Sequence, residues 1–412
     1  MFMRLACKSL LNRRGSVVLT VLALTVSLVV LLGVEHIRQQ ARDSFGNTVS
    51  GVDLIVGART GSLNLLLYSV FHMGSPTNNI SWDSYQKIAS GKHVAWAVPI
   101  ALGDSYRGYR VMGSTPDYFT HFSYGGKRKL QFTSGKAFAE VLDVVLGSEV
   151  AKKLSHKLGD QVVLAHGIAS TSFSLHDDKP FNVVGILAPT GTPVDQTVHV
   201  SLQGIEAIHI DWQQGVKMPG NTVSTEQLAK MDLQPANITA FMLGLNSKIA
   251  TFRVQREINN YSREPLTAIL PGVALSELWQ MMATFEHTLR LISACILVSA
   301  LLGLSAMLLA SIREREHEIQ LLRVIGAPPM FLFLLIELEA LLISFAAIAL
   351  GSSLLYMVLV VAGDLLASEF GLHISTNIGS ESTAYIMLLM IFSTVIAAAI
   401  PSLKAYKNAR RK

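Results

Sequence analysis

The sequence predicts an α-helical membrane protein with four transmembrane helices and an α+β extracytoplasmic domain inserted between helices 1 and 2. Three observations predict it. Four runs of roughly 20 residues carry no charge, which is the length needed to cross about 30 Å of hydrocarbon. Lysine and arginine gather beside alternate ends of those runs. Between the first and second runs lies a long stretch of ordinary globular composition.

The bulk composition agrees. Of 412 residues, 50% are hydrophobic and 15% charged, whereas soluble domains carry about 25% charged residues. The formal net charge of +5 reports topology, because the basic residues sit next to apolar runs. No basic stripe with interleaved aromatics is present, so nucleic acid is not an expected partner. The two cysteines, Cys7 and Cys295, precede or lie inside apolar runs, which leaves the large domain without a disulfide. Cys7 stands before its apolar run, where a lipidated cysteine would follow one.

The uncharged runs are Gly15 to Val34, Leu291 to Ile312, Ala340 to Gly363 and Ser382 to Leu403. The third extends backward to Phe331 through Glu337 and Glu339. Arg4, Lys8, Arg13 and Arg14 precede the first run, and Arg313, Arg315 and Arg323 separate the second from the third. Lys404, Lys407, Arg410, Arg411 and Lys412 follow the fourth, while the loop after the third holds no lysine or arginine. The positive-inside rule then makes the chain multi-pass, with both termini and the middle loop cytoplasmic. A bacterial inner membrane is the expected location. A cleaved signal peptide is the alternative for the first run, but Glu35 to Gln40 offers no small-x-small cleavage site.

The expected boundaries are 1–34 for the N-terminus and first span, 35–286 for the large domain, and 287–312 for the second span. A connecting helix at 313–329, the third span at 330–363, a short loop at 364–381, the fourth span at 382–403 and a basic tail at 404–412 complete the chain.

Within the large domain, Glu35 to about Thr48 continues the first span as helix. β-Branched runs bounded by glycine, proline or aspartate predict strands at Val52–Val56, His93–Leu102, Tyr109–Met112, Val144–Leu146, Gln161–Ala165, Phe181–Leu187 and Thr197–Ser201. Gly147 to Leu158 reads as a short helix closed by Gly159-Asp160. A second run of elements reads as a second subdomain: strand Ile238–Leu243, helix Ile249–Asn260, strand Leu266–Leu270, and a helix from Leu275 to Thr288 entering the second span. Met218 to Leu233 reads as a loop. Asn64 to Met73 is unusually apolar, which fits either a buried helix or a contact patch of Leu65, Leu66, Leu67, Tyr68 and Phe71 for a hydrophobic substrate, lipid or partner.

In the connecting segment, Glu318, Leu321, Leu322 and Ile325 recur at i, i+3, i+4 and i+7, so one helical face carries an apolar stripe. Gly326 ends that helix, and Pro328-Pro329 prevent its continuation. Such a helix fits a groove on a cytoplasmic partner or the headgroup region of the bilayer.

No chemistry stands out. No phosphate-binding loop of the G-x-x-x-x-G-K-[ST] type occurs, and neither a hydrolase triad nor paired carboxylates appear. There are twelve histidines, yet no H-E-x-x-H or C-x-x-C pair. His166 and His176-Asp177-Asp178 could approach across a hairpin, but they read as solvated turn residues, so no metal site is expected. Glu337 and Glu339 are intramembrane acids, costly in lipid, expected to reach the interface or to pair with Arg323 or a basic residue of another helix.

Three stretches resemble the MacB/FtsX/LolC-type ABC permeases, as does the arrangement of one span, a large domain and three spans. Val145-Leu146-Gly147-Ser148-Glu149-Val150-Ala151 with Leu158-Gly159-Asp160-Gln161-Val162 is similar to a pattern of that family's MacB-like periplasmic domain. Phe181-Asn182-Val183-Val184-Gly185-Ile186-Leu187 is similar to one of its strands. Glu314 to Ala327 resembles its cytoplasmic coupling element. The resemblance implies a stand-alone permease without catalysis of its own. Arg315, Glu318, Ile319, Leu322, Arg323, Gly326 and Ala327 would contact a separate cytoplasmic ABC ATPase subunit, which binds the ATP and magnesium. It also implies a second copy or sister permease, the lipid bilayer, and a periplasmic adaptor, carrier or lipoprotein as partners. Exporting or extracting a lipoprotein, peptide or hydrophobic compound is the expected role; the alternative is an FtsX-like regulator of periplasmic enzymes that transports nothing.

Overall fold

A computed structural model describes residues 2–167, 176–210, 212–213, 216–217, 231, 233–314, 328–370, 375–377 and 379–411. Two compact units divide it: one is Met1–Ala41 with Met282–Ala367 and Ile374–Lys412, and the other is Arg42–Met281 with Ser368–His373.

The helices are α1 (Phe2–Asn12), α2 (Arg14–Asn47), α3 (Ser62–Val70), α4 (Trp82–Ala89), α5 (Asp117–His121), α6 (Ser148–Leu154), α7 (Leu202–His209), α8 (Thr251–Asn259), α9 (Pro271–Glu314), α10 (Pro329–Phe370) and α11 (Glu381–Arg411). Four of them, α2, α9, α10 and α11, are long and apolar enough to cross a membrane. Each buries one stripe. Leu24, Leu28 and Leu32 of α2 meet Ala300, Leu304 and Leu308 of α9, with Ala340, Ile343 and Ala347 of α10 and Ala398 of α11 in the same cluster. Both triplets, Leu24-Leu28-Leu32 and Ala300-Leu304-Leu308, recur at i, i+4 and i+8, which places each on one helical face. The opposite faces expose Leu19, Val26, Leu302, Phe345, Val361 and Phe392. An apolar exterior suits lipid as solvent, where helices associate by close packing and hydrogen bonds and not by the hydrophobic effect. Ser305 donates to the Ala397 carbonyl at 2.8 Å, one such bond between α9 and α11.

The second unit is built on one mixed sheet of eleven strands: β1 (Leu54–Ala58), β2 (Val94–Tyr106), β3 (Tyr109–Ser114), β4 (Phe132–Gly135), β5 (Asp143–Leu146), β6 (Gln161–Val162), β7 (Ala165–His166), β8 (Phe181–Leu187), β9 (Thr197–Ser201), β10 (Ala240–Leu245) and β11 (Leu266–Ile269). Their order is β11-β1-β10-β2-β3-β9-β5-β8-β4, with β7 added beside β2 and β6 beside β8. The pairs β9–β3 and β8–β5 are parallel and the others antiparallel. The expected second subdomain is therefore absent as a separate body: β10 and β11 close onto β1, and one sheet serves both runs of elements.

Both faces of the sheet are buried, and the strands show why. Side chains alternate between faces along a strand. Ile55 of β1 and Met242 of β10 belong to one core with α3 and α5. Their neighbours Leu54, Val56, Phe241 and Leu243 belong to a second core with Tyr85 of α4 and Val254 and Ile258 of α8. Farther along, Val111, Val144, Leu146, Val198 and Val200 pack against Val150 of α6 and Ile208 of α7. Strands covered on two sides need near-continuous apolar runs, which explains why these segments were legible.

The apolar stretch at 64–73 forms α3. Leu65, Leu66, Tyr68 and Phe71 are buried in the core and Leu67 is half-buried, which corrects the contact-patch reading: their side chains are spent on packing under β1. The approach is close enough that a Cβ on Gly57 of β1 would meet the Tyr68 hydroxyl and a Leu65 methyl. Helix α6 ends at Leu154, short of the expected Leu158, and Ser155 closes it in the left-handed region at φ 57; Gly159, four residues on, has φ +89, a conformation that favours glycine.

Candidate functional site

The segment resembling a coupling element lies outside the described residues, and with it Arg315, Glu318, Ile319, Leu322, Arg323, Gly326 and Ala327. Its two anchors are visible. Helix α9 ends at Glu314, whose carboxylate stands 4.0 Å from Nε of Arg13 just before α2's first apolar turn, and α10 begins at Pro329. Glu337 and Glu339 both lie on α10 and both are buried. They were expected to reach the interface or to pair with Arg323 or a basic residue of another helix, and Arg323 lies outside the described residues. The Glu337 oxygens accept no hydrogen bond among the described residues, and the Ser402 hydroxyl of α11 is a polar group facing them.

At the other end of α2 a charge cluster spans two helices. Arg38 bonds Glu35 one turn away and reaches Glu286 of α9 at 3.6 Å. Arg290 of α9 returns to Glu35 at 3.4 Å. Beside it, Leu31, Val34, Glu35, Arg290, Glu381, Ser382 and Tyr385 line a cavity of about 450 Å³ between α2, α9 and α11. The neighbouring polar turn of α2 is held as well: His36 Nε2 lies 2.7 Å from the Ser375 carbonyl, and Gln39 accepts from the Ser382 hydroxyl at 3.2 Å. Ion pairs and amides in this position lock helix to helix without crossing the apolar middle.

The large domain holds a second polar cluster, and it corrects the reading of His176 as a solvated turn residue, while His166, Asp177 and Asp178 are exposed as expected. Asp104 lies on β2, and the register places it opposite His166 of β7. His209 ends α7, and His176 follows the segment after β7. His176 is completely buried and Asp104 is 1% exposed, while His209 is half-buried and His166 open to solvent. One potential ligand atom from each of the four lies within 4.8 Å of all the others. His166 Nδ1 is 3.3 Å from Oδ1 of Asp104, His209 Nε2 is 3.4 Å from the same oxygen, and the two ring nitrogens are 3.1 Å apart. Burial opposes ionisation of Asp104, but the imidazoles of His166 and His209 overcome it and hold the pKa down at about 2. Burial lowers the pKa of His176 to about 4. The cluster thus pairs a carboxylate with a neutral buried imidazole at ordinary pH. Asp104 and His209 were not singled out from the sequence; their one signal is polarity at otherwise apolar strand and helix positions.

Two family models cover nearly the whole chain. The MacB-like periplasmic core domain matches residues 17–261, and the FtsX-like permease C-terminal matches residues 290–409. The chain belongs to the MacB/FtsX permease family.

The MacB-like match takes in the first membrane helix and the sheet through α8. The FtsX-like match takes in the other three membrane helices and the segment between α9 and α10. MacB/FtsX permeases are membrane subunits of ABC transporters, and this chain carries that family's layout. Among solved structures, the periplasmic region of MacB from Actinobacillus actinomycetemcomitans is similar at 10% identity and TM-score 0.33, over 56% of this chain and 94% of that one. The extracellular domain of the noncanonic ABC-type transporter YknZ from Gram-positive bacteria is similar at 12% identity and TM-score 0.29, over 53% and 98%. No curated protein sequence matches the chain.

Proposed function

We propose that this MacB/FtsX permease relays ATP-driven motion from a separate cytoplasmic ATPase to its large domain, which lies outside the inner membrane and exports or extracts a lipoprotein, peptide or hydrophobic compound. The observation that carries the reading is the continuity of α9. It runs 44 residues without a break from Pro271, two residues after β11, to Glu314, where the coupling segment starts. At 1.5 Å per residue that is about 66 Å, twice the roughly 30 Å of hydrocarbon. An unbroken helix resists bending better than a linker, so displacement at one end is delivered at the other.

In this reading Arg315, Glu318, Ile319, Leu322, Arg323, Gly326 and Ala327 seat in a groove of the ATPase, which binds the nucleotide and magnesium. Both termini lie in the cytoplasm, and two permease copies, or this chain and a sister permease, flank an ATPase pair. The buried stripes of the bundle support a force-bearing role: few charges interrupt them, which disfavours an ion path.

The test is co-purification of the full-length protein with ABC ATPase subunits of its own organism, for the native chain and for Glu318→Ala combined with Leu322→Arg. A complex that forms with the native chain and is lost in the folded variant supports coupling through this segment. A complex that survives the variant, or none with any ATPase, overturns it.

A further inference from the structure

The large domain contains a cluster that its membership of the family does not explain. Asp104, His166, His176 and His209 come from β2, β7, the segment after β7 and the end of α7, yet their side chains converge on one point. A hydrogen-bonded network and a metal site would both gather such residues; His166 and His209 make a hydrogen bond to each other at 3.1 Å, while their contacts to Asp104 are longer. N–H···O hydrogen bonds cluster near 2.9–3.0 Å. His166 and His209 both approach the same Oδ1 of Asp104, at 3.3 and 3.4 Å, and that oxygen accepts no hydrogen bond among the described residues. Four ligands held tetrahedrally at about 2.0–2.1 Å from an ion stand about 3.3–3.4 Å from one another. The two separations from Asp104 fit that edge, and all four ligand atoms lie within 4.8 Å of one another.

The orientation of His209 points the same way. Its Nδ1 lies 2.8 Å from the Ile205 carbonyl, which can only accept, so Nδ1 carries the proton. Its Nε2 then faces the Asp104 carboxylate and His166 Nδ1, 3.1 Å away, so the three inward atoms are held together either by ring protons or by a shared metal ion. A ring nitrogen anchored to a backbone carbonyl while the other faces inward is the usual outer-shell arrangement of a metal-bound histidine. The rings stand nearly perpendicular, at 77° between His166 and His209 and 83° between His176 and His209, so each sends a nitrogen inward without stacking.

We propose that Asp104, His166, His176 and His209 form a binding site for a divalent late first-row transition-metal ion, zinc foremost. Three imidazoles and one carboxylate suit zinc, and such donors disfavour magnesium and calcium, which take oxygen ligands. The exposed edge of His166 gives the ion its way in, while buried Asp104 and His176 form the floor. Bound there, the ion staples the short β7 arm to β2 and to the C-terminal end of α7. The inference does not depend on the proposed coupling to an ATPase; it requires only that the domain be folded.

The experiment uses the full-length protein in detergent, stripped with a chelator, desalted, and titrated with zinc and separately with cobalt. Metal content is measured by mass spectrometry, affinity by competition with a chromogenic chelator, and geometry by the visible spectrum of the cobalt form. One zinc per chain, the intense bands of four-coordinate cobalt and a higher melting temperature with zinc are expected. His166→Ala and His209→Ala should each weaken zinc affinity by at least roughly 100-fold while melting like the native protein in chelator. The control His156→Ala, away from the cluster, should bind zinc as the native chain does. No zinc retained by the native protein, or undiminished affinity in His166→Ala and His209→Ala, would overturn the assignment. Should His209→Ala fail to fold, His166→Ala at the exposed rim decides the question alone.

Discussion

Arg38 of α2 and Glu286 of α9 approach to 3.6 Å, joining two helices that are far apart in sequence. Both side chains are about one-fifth exposed, so solvent screens the pair only partly. The pair should show a coupling energy of about 1 kcal/mol in a double-mutant cycle. Arg38→Glu alone puts like charges beside Glu35 and Glu286 and should lower the melting temperature of the detergent-solubilised protein. Adding Glu286→Arg should restore part of it. Additive effects of the two changes would show that the ion pair contributes nothing to helix association.

Packing of α3 under β1 sets a second expectation. Leu66 is completely buried, so Leu66→Ala should cost about 2–5 kcal/mol in denaturant unfolding. Gly57→Ala tests the same contact from the strand side: its Cβ meets Leu65 and Tyr68, and overpacking of this kind costs about 1–3 kcal/mol. A stability unchanged by Gly57→Ala would mean that α3 stands farther from the sheet than described.

Asp195 anchors the turn before β9. Buried at 1% exposure, it accepts from the backbone N–H of Thr190 and Gly191, each at 2.8 Å, and from the Thr190 hydroxyl at 2.8 Å. Bonds to an ionised acceptor contribute about 1.5–3 kcal/mol each, and stranding their donors carries a further penalty. Asp195→Ala should therefore destabilise the protein by at least about 3 kcal/mol, and Asp195→Asn by less, since it keeps one acceptor oxygen. Equal losses in the two variants, by urea unfolding, would argue against this role for the carboxylate.

The protein should also lose stability on mild acidification, through His199. This ring is fully buried and lies against Tyr118 and Phe119, and burial, with the nearby His72, lowers its pKa to about 3. An unfolded histidine titrates near 6.5. The unfolded chain thus binds the extra proton first, so the stability that neutral His199 contributes above about pH 6.5 drains away as the pH falls toward 3. His199→Phe should flatten the decline between pH 6.5 and 4 in thermal melts. An unchanged slope would place the sensitivity elsewhere.

The membrane helices were readable because their physics is local: a run without charge needs no knowledge of its neighbours. Helix α2 also continues past Val34 as its polar, breaker-free sequence suggested, and α9 begins before the second span as expected. The sheet was readable for a related reason, since strands covered on both faces are apolar nearly throughout. Helices α4 and α7 were missed, although each had a serine cap to announce it: Ser81 accepts from Ser84 N–H and Ser201 from Gly204 N–H. The helices are short, and their apolar residues are too few to mark a period. The Asp104 cluster was illegible because its members are scattered between residues 104 and 209 and meet only through strand pairing. His166 and His176 were noticed as a pair, but nothing in their spacing reveals that His176 is enclosed.

The strand order has a consequence for biogenesis. Strand β1, whose five residues are all buried, pairs only with β10 and β11 among the strands of its sheet. It is made first, while its partners lie near the far end of the domain. At ribosomal speeds of about 5–20 residues per second, Leu54–Ala58 waits on the order of 10–40 s before Ala240–Leu245 is synthesised. Throughout that delay an apolar, hydrogen-bond-hungry edge is without its native neighbours. A chaperone that shields this segment during synthesis would matter more to the yield of this protein than its final stability does, and slowing synthesis after β1 should worsen aggregation instead of relieving it.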